Sequence, residues 1–158
     1  MSRLFWRALF AFLVLPGVVA FLIPWRLRPS GESPRAIGIA IIAVGTILLF
    51  WCIRDFYVAG RGTLAPWAPP ERLVVVGLYR YSRNPMYVAV LLILIGWAAA
   101  YQDRGLWTYA AIVAIGFHLR VVFFEEPWLA KRHGDEWTKF AARVPRWFPV
   151  SWGRGVYR

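Results

Sequence analysis

The sequence predicts an all-α protein, a multi-pass membrane helix bundle of about four spans carrying a C-terminal amphipathic helix on its surface. Of 158 residues, 59% are hydrophobic, well above the roughly 45–50% of soluble domains. Four apolar stretches, residues 8–25, 36–53, 85–102 and 105–124, each reach across about 30 Å of hydrocarbon at about 1.5 Å per residue. The loops that such spans create also sort the basic residues. Arg3, Arg7, Arg54, Arg61, Arg72, Arg80, Arg83, Lys131, Arg132, Lys139, Arg143, Arg146, Arg154 and Arg158 fall on one side, and Arg26, Arg28, Arg35 and Arg104 on the other. The positive-inside rule then puts both termini and the 54–84 loop in the cytoplasm. Much of the net charge of +11 is therefore a topology signal, which speaks against nucleic-acid binding.

The first span, about residues 5–25, follows Arg3 and Arg7, and its "VVA" could imitate a signal-peptide cleavage site. It is expected to be retained, because the run exceeds the roughly 7–15 residues of an h-region and Pro24-Trp25-Arg26 resembles an interfacial stop. The second span, about 36–56, holds Cys52, and a single cysteine allows no disulfide within the chain. Spans at about 85–102 and 105–125 are joined by Asp103 and Arg104, which requires a tight antiparallel hairpin. Trp6, Trp25, Trp51, Trp97 and Trp107 lie near predicted span ends, where amphipathic rings anchor at the interface. Residues 1–158 read as one membrane domain.

Between the second and third spans, "GRGTLAPWAPPE" is too rich in Gly and Pro for helix or central strand. The following "RLVVVGLYRY" is apolar and aromatic, and is expected to pack against the mouth of the bundle. After the fourth span Glu125-Glu126-Pro127 should interrupt the helix, with Pro127 opening a new one over about 127–143. Leu129, His133, Trp137, Phe140, Ala141 and Val144 share one side of it, so it reads as a surface helix, either a membrane anchor or a lid over a site.

Two histidines and one cysteine make no usual zinc set, and no GxSxG, Walker or GxGxxG pattern occurs, so no metal is implied. What remains is a cluster at the cytoplasmic boundary. Asn84-Pro85 reads as a helix start with Asn84 as N-cap, its positive dipole end beside Arg80 and Arg83, a place that attracts a carboxylate or phosphate. The same residues also fit plain positive-inside arginines and interfacial tyrosines. His118 and Glu125, seven apart, share a helix face about 10 Å from each other, while Arg120 points nearly opposite to His118 and is free to snorkel. His118 is either functional or bonded to a neighbouring helix. Adjacent Glu125 and Glu126 invite a cation, from Arg80, Arg83, Arg143 or Arg146, or from a ligand such as an amine or sulfonium.

In this order "GLYRYSRNPMY", a membrane hairpin, "EEPWLAKRHGDEW" and "VPRWFP" resemble the isoprenylcysteine carboxyl methyltransferase and phospholipid methyltransferase superfamily of integral membrane enzymes. The resemblance covers about residues 64–149. Gly77, Tyr79, Arg83, Pro85, Tyr87, Glu125, Glu126, Pro145, Arg146, Trp147 and Pro149 occupy positions of the family pattern. Asn84 stands where the best-known members have histidine, Ala89 where a glycine is common, and Trp137 and Phe140 where tyrosines are common. The resemblance implies S-adenosylmethionine bound at the cytoplasmic boundary and a lipophilic or small acceptor entering from the bilayer. It implies cofactor contacts from Gly77, Tyr79, Arg83, Asn84, Pro85, Tyr87, His118, Glu125 and Glu126, with Arg80, Arg143 and Arg146 near the acceptor. Two other readings share the scaffold: a nicotinamide-dependent membrane reductase, and a non-catalytic accessory subunit, which the Asn84 substitution favours.

Overall fold

Helices make up all the regular structure among residues 13–60 and 73–148, which the computed structural model describes. Helix α1 is π-helical over Leu13–Leu22 and α-helical over Ile23–Leu27. Helix α2 spans Ala36–Gly60 and α3 spans Pro85–Tyr101. Helix α4, Arg104–Arg120, passes through a π-turn at Val121–Glu125 into α5, Glu126–His133, and α6 covers Asp135–Arg143. The Gly- and Pro-rich stretch at 61–72, with residues 1–12 and 149–158, lies outside the described residues.

The chain is a membrane helix bundle. Ala36–Asp55 and Arg104–His133 are long and apolar enough to cross a bilayer, and Pro16–Leu27 and Pro85–Tyr101 are shorter apolar helices. Large apolar side chains face outward on α2, α4 and the π-turn that follows it, among them Ile37, Ile47, Ile112, Ile115 and Phe123. A soluble protein would bury such a surface, and a bilayer gives it a solvent.

Lipid supplies little hydrophobic force between helices, so close packing has to hold them together. The seam between α2 and α3 is built that way. Gly38, Ile42 and Gly45 of α2 meet Ala89, Ile93, Gly96 and Ala100 of α3 at helical spacing. A Cβ on Gly38 would overlap the Ala100 backbone. One on Gly96 would lie 2.7 Å from Ile42 Cγ1 and 2.8 Å from Ile42 N, and one on Gly45 2.8 Å from Ile93 Cγ1. The Arg35 N–H donates to the Ala100 carbonyl at 2.9 Å, tying the start of α2 to the end of α3. Helix α3 is the centre of the bundle, with Ala89, Val90, Ile93, Leu94, Trp97 and Ala98 all buried. Gln102 in the left-handed region (φ 54°) ends α3, and Asp103 caps α4 by accepting from the Leu106 N–H at 2.9 Å. That makes the hairpin as tight as two residues require.

Two expectations are corrected here. Trp97 is no interfacial anchor: it is buried, and its Nε1–H donates to the Ala20 carbonyl at 3.0 Å. The reason lies in Pro24, which has no N–H and so leaves the Ala20 carbonyl, four residues back, without a helical donor. The neighbouring Val19 carbonyl also takes a side-chain donor, Tyr109 Oη at 3.0 Å. Glu125-Glu126-Pro127, in turn, does not interrupt the helix. The π-turn bonds the Glu126 N–H to the Val121 carbonyl, five residues back, and the helix absorbs the missing N–H of Pro127 without a break. Together α4, the π-turn and α5 run 30 residues, about 45 Å, longer than a hydrocarbon core. The break comes instead at Gly134, whose φ of 50° and ψ of −120° part α5 from α6.

The amphipathic face of α6 is turned inward. Trp137, Phe140 and Val144 are buried against Leu73, Val75 and Leu129, while Val74 faces Cys52 and Tyr79 on the other side. The segment before Gly77 is thus a wedge with alternating sides, packed between α6 and the bundle mouth.

If the seam between α2 and α3 carries the stability, one substitution should act with opposite signs at two glycines. Gly96→Ala should lower stability by about 1–3 kcal/mol through overpacking. Gly116→Ala, with nothing within 4 Å of the added methyl, should raise it by up to about 1 kcal/mol through helix propensity. Unfolding midpoints in detergent would check this, and equal shifts would count against the seam.

Candidate functional site

Three segments far apart in sequence meet at the end of the bundle where α3 begins. The short 3₁₀ turn Gly77–Arg80 and the Tyr81–Asn84 link lead into α3, the π-turn presents Glu125 and Glu126, and residues 144–148 form a strap after α6. Main-chain bonds seat the strap. The Arg83 N–H donates to the Pro145 carbonyl at 2.9 Å, and the Asn84 Nδ2 donates to the Arg146 carbonyl at 3.0 Å. Ser82 Oγ is 3.4 Å from the same Arg146 carbonyl and accepts from the Asn84 N–H at 3.1 Å.

Asn84 therefore occupies the N-cap position without capping: its side chain makes no bond to the first turn of α3. Its amide holds the strap instead. A donor is what this position uses, and an amide supplies one without titrating near neutral pH.

Glu126 is gripped from two sides. Arg146 pairs with it bidentately, Nε to Oε1 and Nη2 to Oε2, both at 2.8 Å, and Arg83 Nη1 lies 3.0 Å from Oε1. The two guanidinium groups respond differently. Burial lowers the pKa of Arg83, with Glu126 pulling the other way and Arg146 adding to the lowering. Hydrogen bonding to Glu126 raises that of Arg146. The difference follows exposure, 13% of the Arg83 side chain against 34% of Arg146. Trp137 adds its ring face, 5.6 Å from Arg83 Cζ.

Glu125 belongs to a second group. Tyr87 Oη donates to Glu125 Oε1, and Arg120 Nε donates to that oxygen at 2.8 Å and to Tyr87 Oη at 3.1 Å. Phe117 packs on the Tyr87 ring at 4.4 Å. Tyr79 is buried, and desolvation, then the nearby Cys52, Asp55, Tyr87 and Glu125, push its phenol well above its usual pKa, so it keeps its proton. His118 stacks on Trp147 of the strap at 6.0 Å.

The structure thus brings together Tyr79, Arg83, Asn84, Pro85, Tyr87, Glu125, Glu126 and Arg146, with Gly77 at the edge and His118 beneath the strap. Arg80 and Arg143 lie on the exposed surface. Sequence reasoning left Arg120 without a role, and the structure pairs it with Glu125 and Tyr87. It also passed over Asp55, a buried acid at the end of α2 packed against Gly77. Asp55 has a readable signal, since acids number only eight in the chain and buried ones need a reason.

Three arginines against two glutamates leave the cluster with one surplus positive charge. Among the described residues Arg83 Nε, buried, finds no acceptor. Beside it an apolar groove of about 130 Å³ runs between Leu48 of α2, Leu78, Pro85 and Val88 of α3, and Trp147 and Phe148 of the strap. It is smaller than the roughly 300–1,000 Å³ of a small-molecule pocket, so it takes part of a ligand.

Comparison with known proteins gives two matches. A family model described as phospholipid methyltransferase matches residues 34–136. The chain is 28% identical over 151 residues to the cobalt-zinc-cadmium resistance protein CzcN of Cupriavidus metallidurans, an alignment covering 91% of this chain and 62% of that protein. The chain thus spans about three fifths of that relative's length. No solved structure matches.

A double-mutant cycle should measure the clamp on Glu126. Arg146→Ala and Glu126→Gln are each expected to destabilise, with a coupling energy of about 1–2 kcal/mol. Additive effects in chemical unfolding would mean that the bidentate pair contributes nothing.

Proposed function

The chain belongs to the phospholipid methyltransferase family, whose model covers residues 34–136, and from that premise we propose that it transfers a methyl group from S-adenosylmethionine to a lipophilic or small acceptor at the cytoplasmic membrane boundary. The observation that carries this reading is Arg83, a buried guanidinium with an unused Nε–H in a cluster one positive charge in excess. An anion completes such a site. The carboxylate of the cofactor's methionine portion fits it, with the positive end of α3 adding to the pull.

Bound there, the cofactor supplies an electrophilic methyl on a sulfonium. What this chain contributes is alignment and dryness, the two needs of an in-line displacement. Arg83 holds the carboxylate end. The rings of Tyr79 and Tyr87 would offer aromatic faces to the sulfonium, and the Tyr79 phenol stays neutral. The groove from Leu48 to Phe148 takes an apolar part of the acceptor, and the strap aromatics Trp147 and Phe148 keep water from that side. Arg146 serves by fixing Glu126, while exposed Arg80 is available to headgroup anions.

Purified full-length protein should bind S-adenosylhomocysteine in a titration calorimeter, and membranes containing it should pass label from methyl-labelled S-adenosylmethionine into extracted lipid or added small acceptors. Arg83→Lys keeps the charge that Glu126 needs but loses the second N–H direction. It should weaken S-adenosylhomocysteine about tenfold with folding intact. Preference for a nicotinamide nucleotide would overturn the reading in favour of a reductase, and neither binding nor transfer would favour an accessory role.

A further inference from the structure

The pairing leaves a gap in the charge accounting. Sequence reasoning offers Glu125 and Glu126 to the cationic end of the cofactor, yet both carboxylates are engaged within the chain. Glu126 is taken by Arg83 and Arg146, and Glu125 by Arg120 and Tyr87. A zwitterionic aminocarboxylate needs a carboxylate as well as a guanidinium.

The bonds to Glu125 all fall on Oε1, and its side chain is 29% exposed, so water can serve Oε2; the acid with a buried oxygen to give is Asp55. Asp55, near the end of α2, is 6% exposed. Its Oδ1 accepts from Arg54 Nη1 at 3.3 Å, a contact of small worth because the Arg54 side chain is 73% exposed. Its Oδ2 is buried and, among the described residues, meets no donor. Such an oxygen is costly to keep unless something occupies it.

The surroundings are shaped for that oxygen. Gly77 has a φ of +56°, and a Cβ at that position would overlap Asp55 Oδ2, with Trp51 Nε1 3.4 Å away. Only glycine leaves the carboxylate room. Asp55 lies seven residues along α2 from Leu48, on the same helix face, and Gly77 adjoins Leu78. Leu48 and Leu78 both line the apolar groove, so Asp55 lies about two helical turns along α2 from its wall. Buried Tyr79 is near enough to both Asp55 and Glu125 to feel their charges, which links Asp55 to the neighbourhood of the paired cluster.

We propose that Asp55 is a cofactor-binding residue whose Oδ2 receives the α-ammonium group of the aminocarboxylate held at its carboxylate end by Arg83. Two of the buried groups without a hydrogen-bond partner among the described residues, the Arg83 Nε–H and the Asp55 Oδ2, are then the two halves of one zwitterion site. This rests on the methyltransferase reading and extends the site onto α2, outside the motifs that carry the family resemblance. Gly77 becomes a residue of function, since its missing side chain is what lets Asp55 turn toward the ligand.

The test compares S-adenosylhomocysteine with its deaminated analogue, in which hydrogen replaces the α-amino group, by titration calorimetry on the full chain in detergent. The parent protein should prefer the amine by roughly 10- to 100-fold. Asp55→Asn should lose that factor for S-adenosylhomocysteine and bind the deaminated analogue as the parent does, so that the preference collapses to near unity. A folded Asp55→Asn protein that keeps the preference overturns the assignment while leaving the methyltransferase reading intact. A parent protein that binds neither nucleoside overturns both. If Asp55→Asn fails to give a monodisperse protein, Asp55→Glu is used. It retains the charge and should keep the preference at reduced affinity, and a folded Asp55→Glu protein without the preference overturns the assignment.

Discussion

A single carboxylate held by two guanidinium groups organises this end of the protein. Glu126 leaves a π-turn, Arg83 precedes α3 and Arg146 lies in the strap after α6, so three segments far apart in sequence converge on two oxygens. Charges buried beside a membrane are costly unless fully paired, and removing one partner strands the others. The arrangement therefore behaves as a unit. It also leaves Arg83 under opposed pulls, desolvation against its pairing with Glu126, and a guanidinium in that state gains by taking a further anion.

The clamp needs a rigid base, which the α2–α3 seam supplies. Where Gly38, Gly45 and Gly96 let the backbones touch, no larger residue fits, and the two helices cannot slide without colliding. The same logic governs the backbone. Inside a bilayer every carbonyl that loses its helical donor must find another: the Ala20 carbonyl that Pro24 deprives finds Trp97, and the Val19 carbonyl beside it takes Tyr109. Satisfying those groups fixes α1 against α3 and α4. Secured in this way, α2 presents its far end, with Asp55, to the turn at Gly77.

The sequence makes the long-range order of this fold legible and hides its local departures. Apolar stretches announce the helices near 36–60, 85–101 and 104–125 because burial in lipid demands only length and apolarity. They give no hint of which faces pack, since the lipid side and the protein side of α2 are equally apolar; only the glycine spacing carries that information. Arg120 shows why part of the site was hidden. Five residues at about 100° each set it about 140° from Glu125 in an α-helix, and it takes a π-turn to bring the two to 2.8 Å. Asn84 is legible as a helix boundary, but the destination of its amide depends on a strap more than sixty residues away. The amphipathic pattern of α6 is plain in the sequence, whereas its partner surface, Leu73 and Val75, is a matter of tertiary structure.

The strap is held in a way that separates two tasks. Its seat is made by main-chain carbonyls of Pro145 and Arg146 and by the Arg146 guanidinium, none of which depends on the side chains of Trp147 and Phe148. Those two side chains line the apolar groove. They can change in size or polarity without loosening the clamp on Glu126, whereas a change at Arg83, Asn84 or Arg146 disturbs clamp and groove together. On the methyltransferase reading, the charged cluster that serves the cofactor is thus mechanically insulated from the wall that meets the acceptor. One scaffold can keep its donor chemistry while its acceptor drifts, because Trp147 and Phe148 line the groove without taking part in the clamp on Glu126.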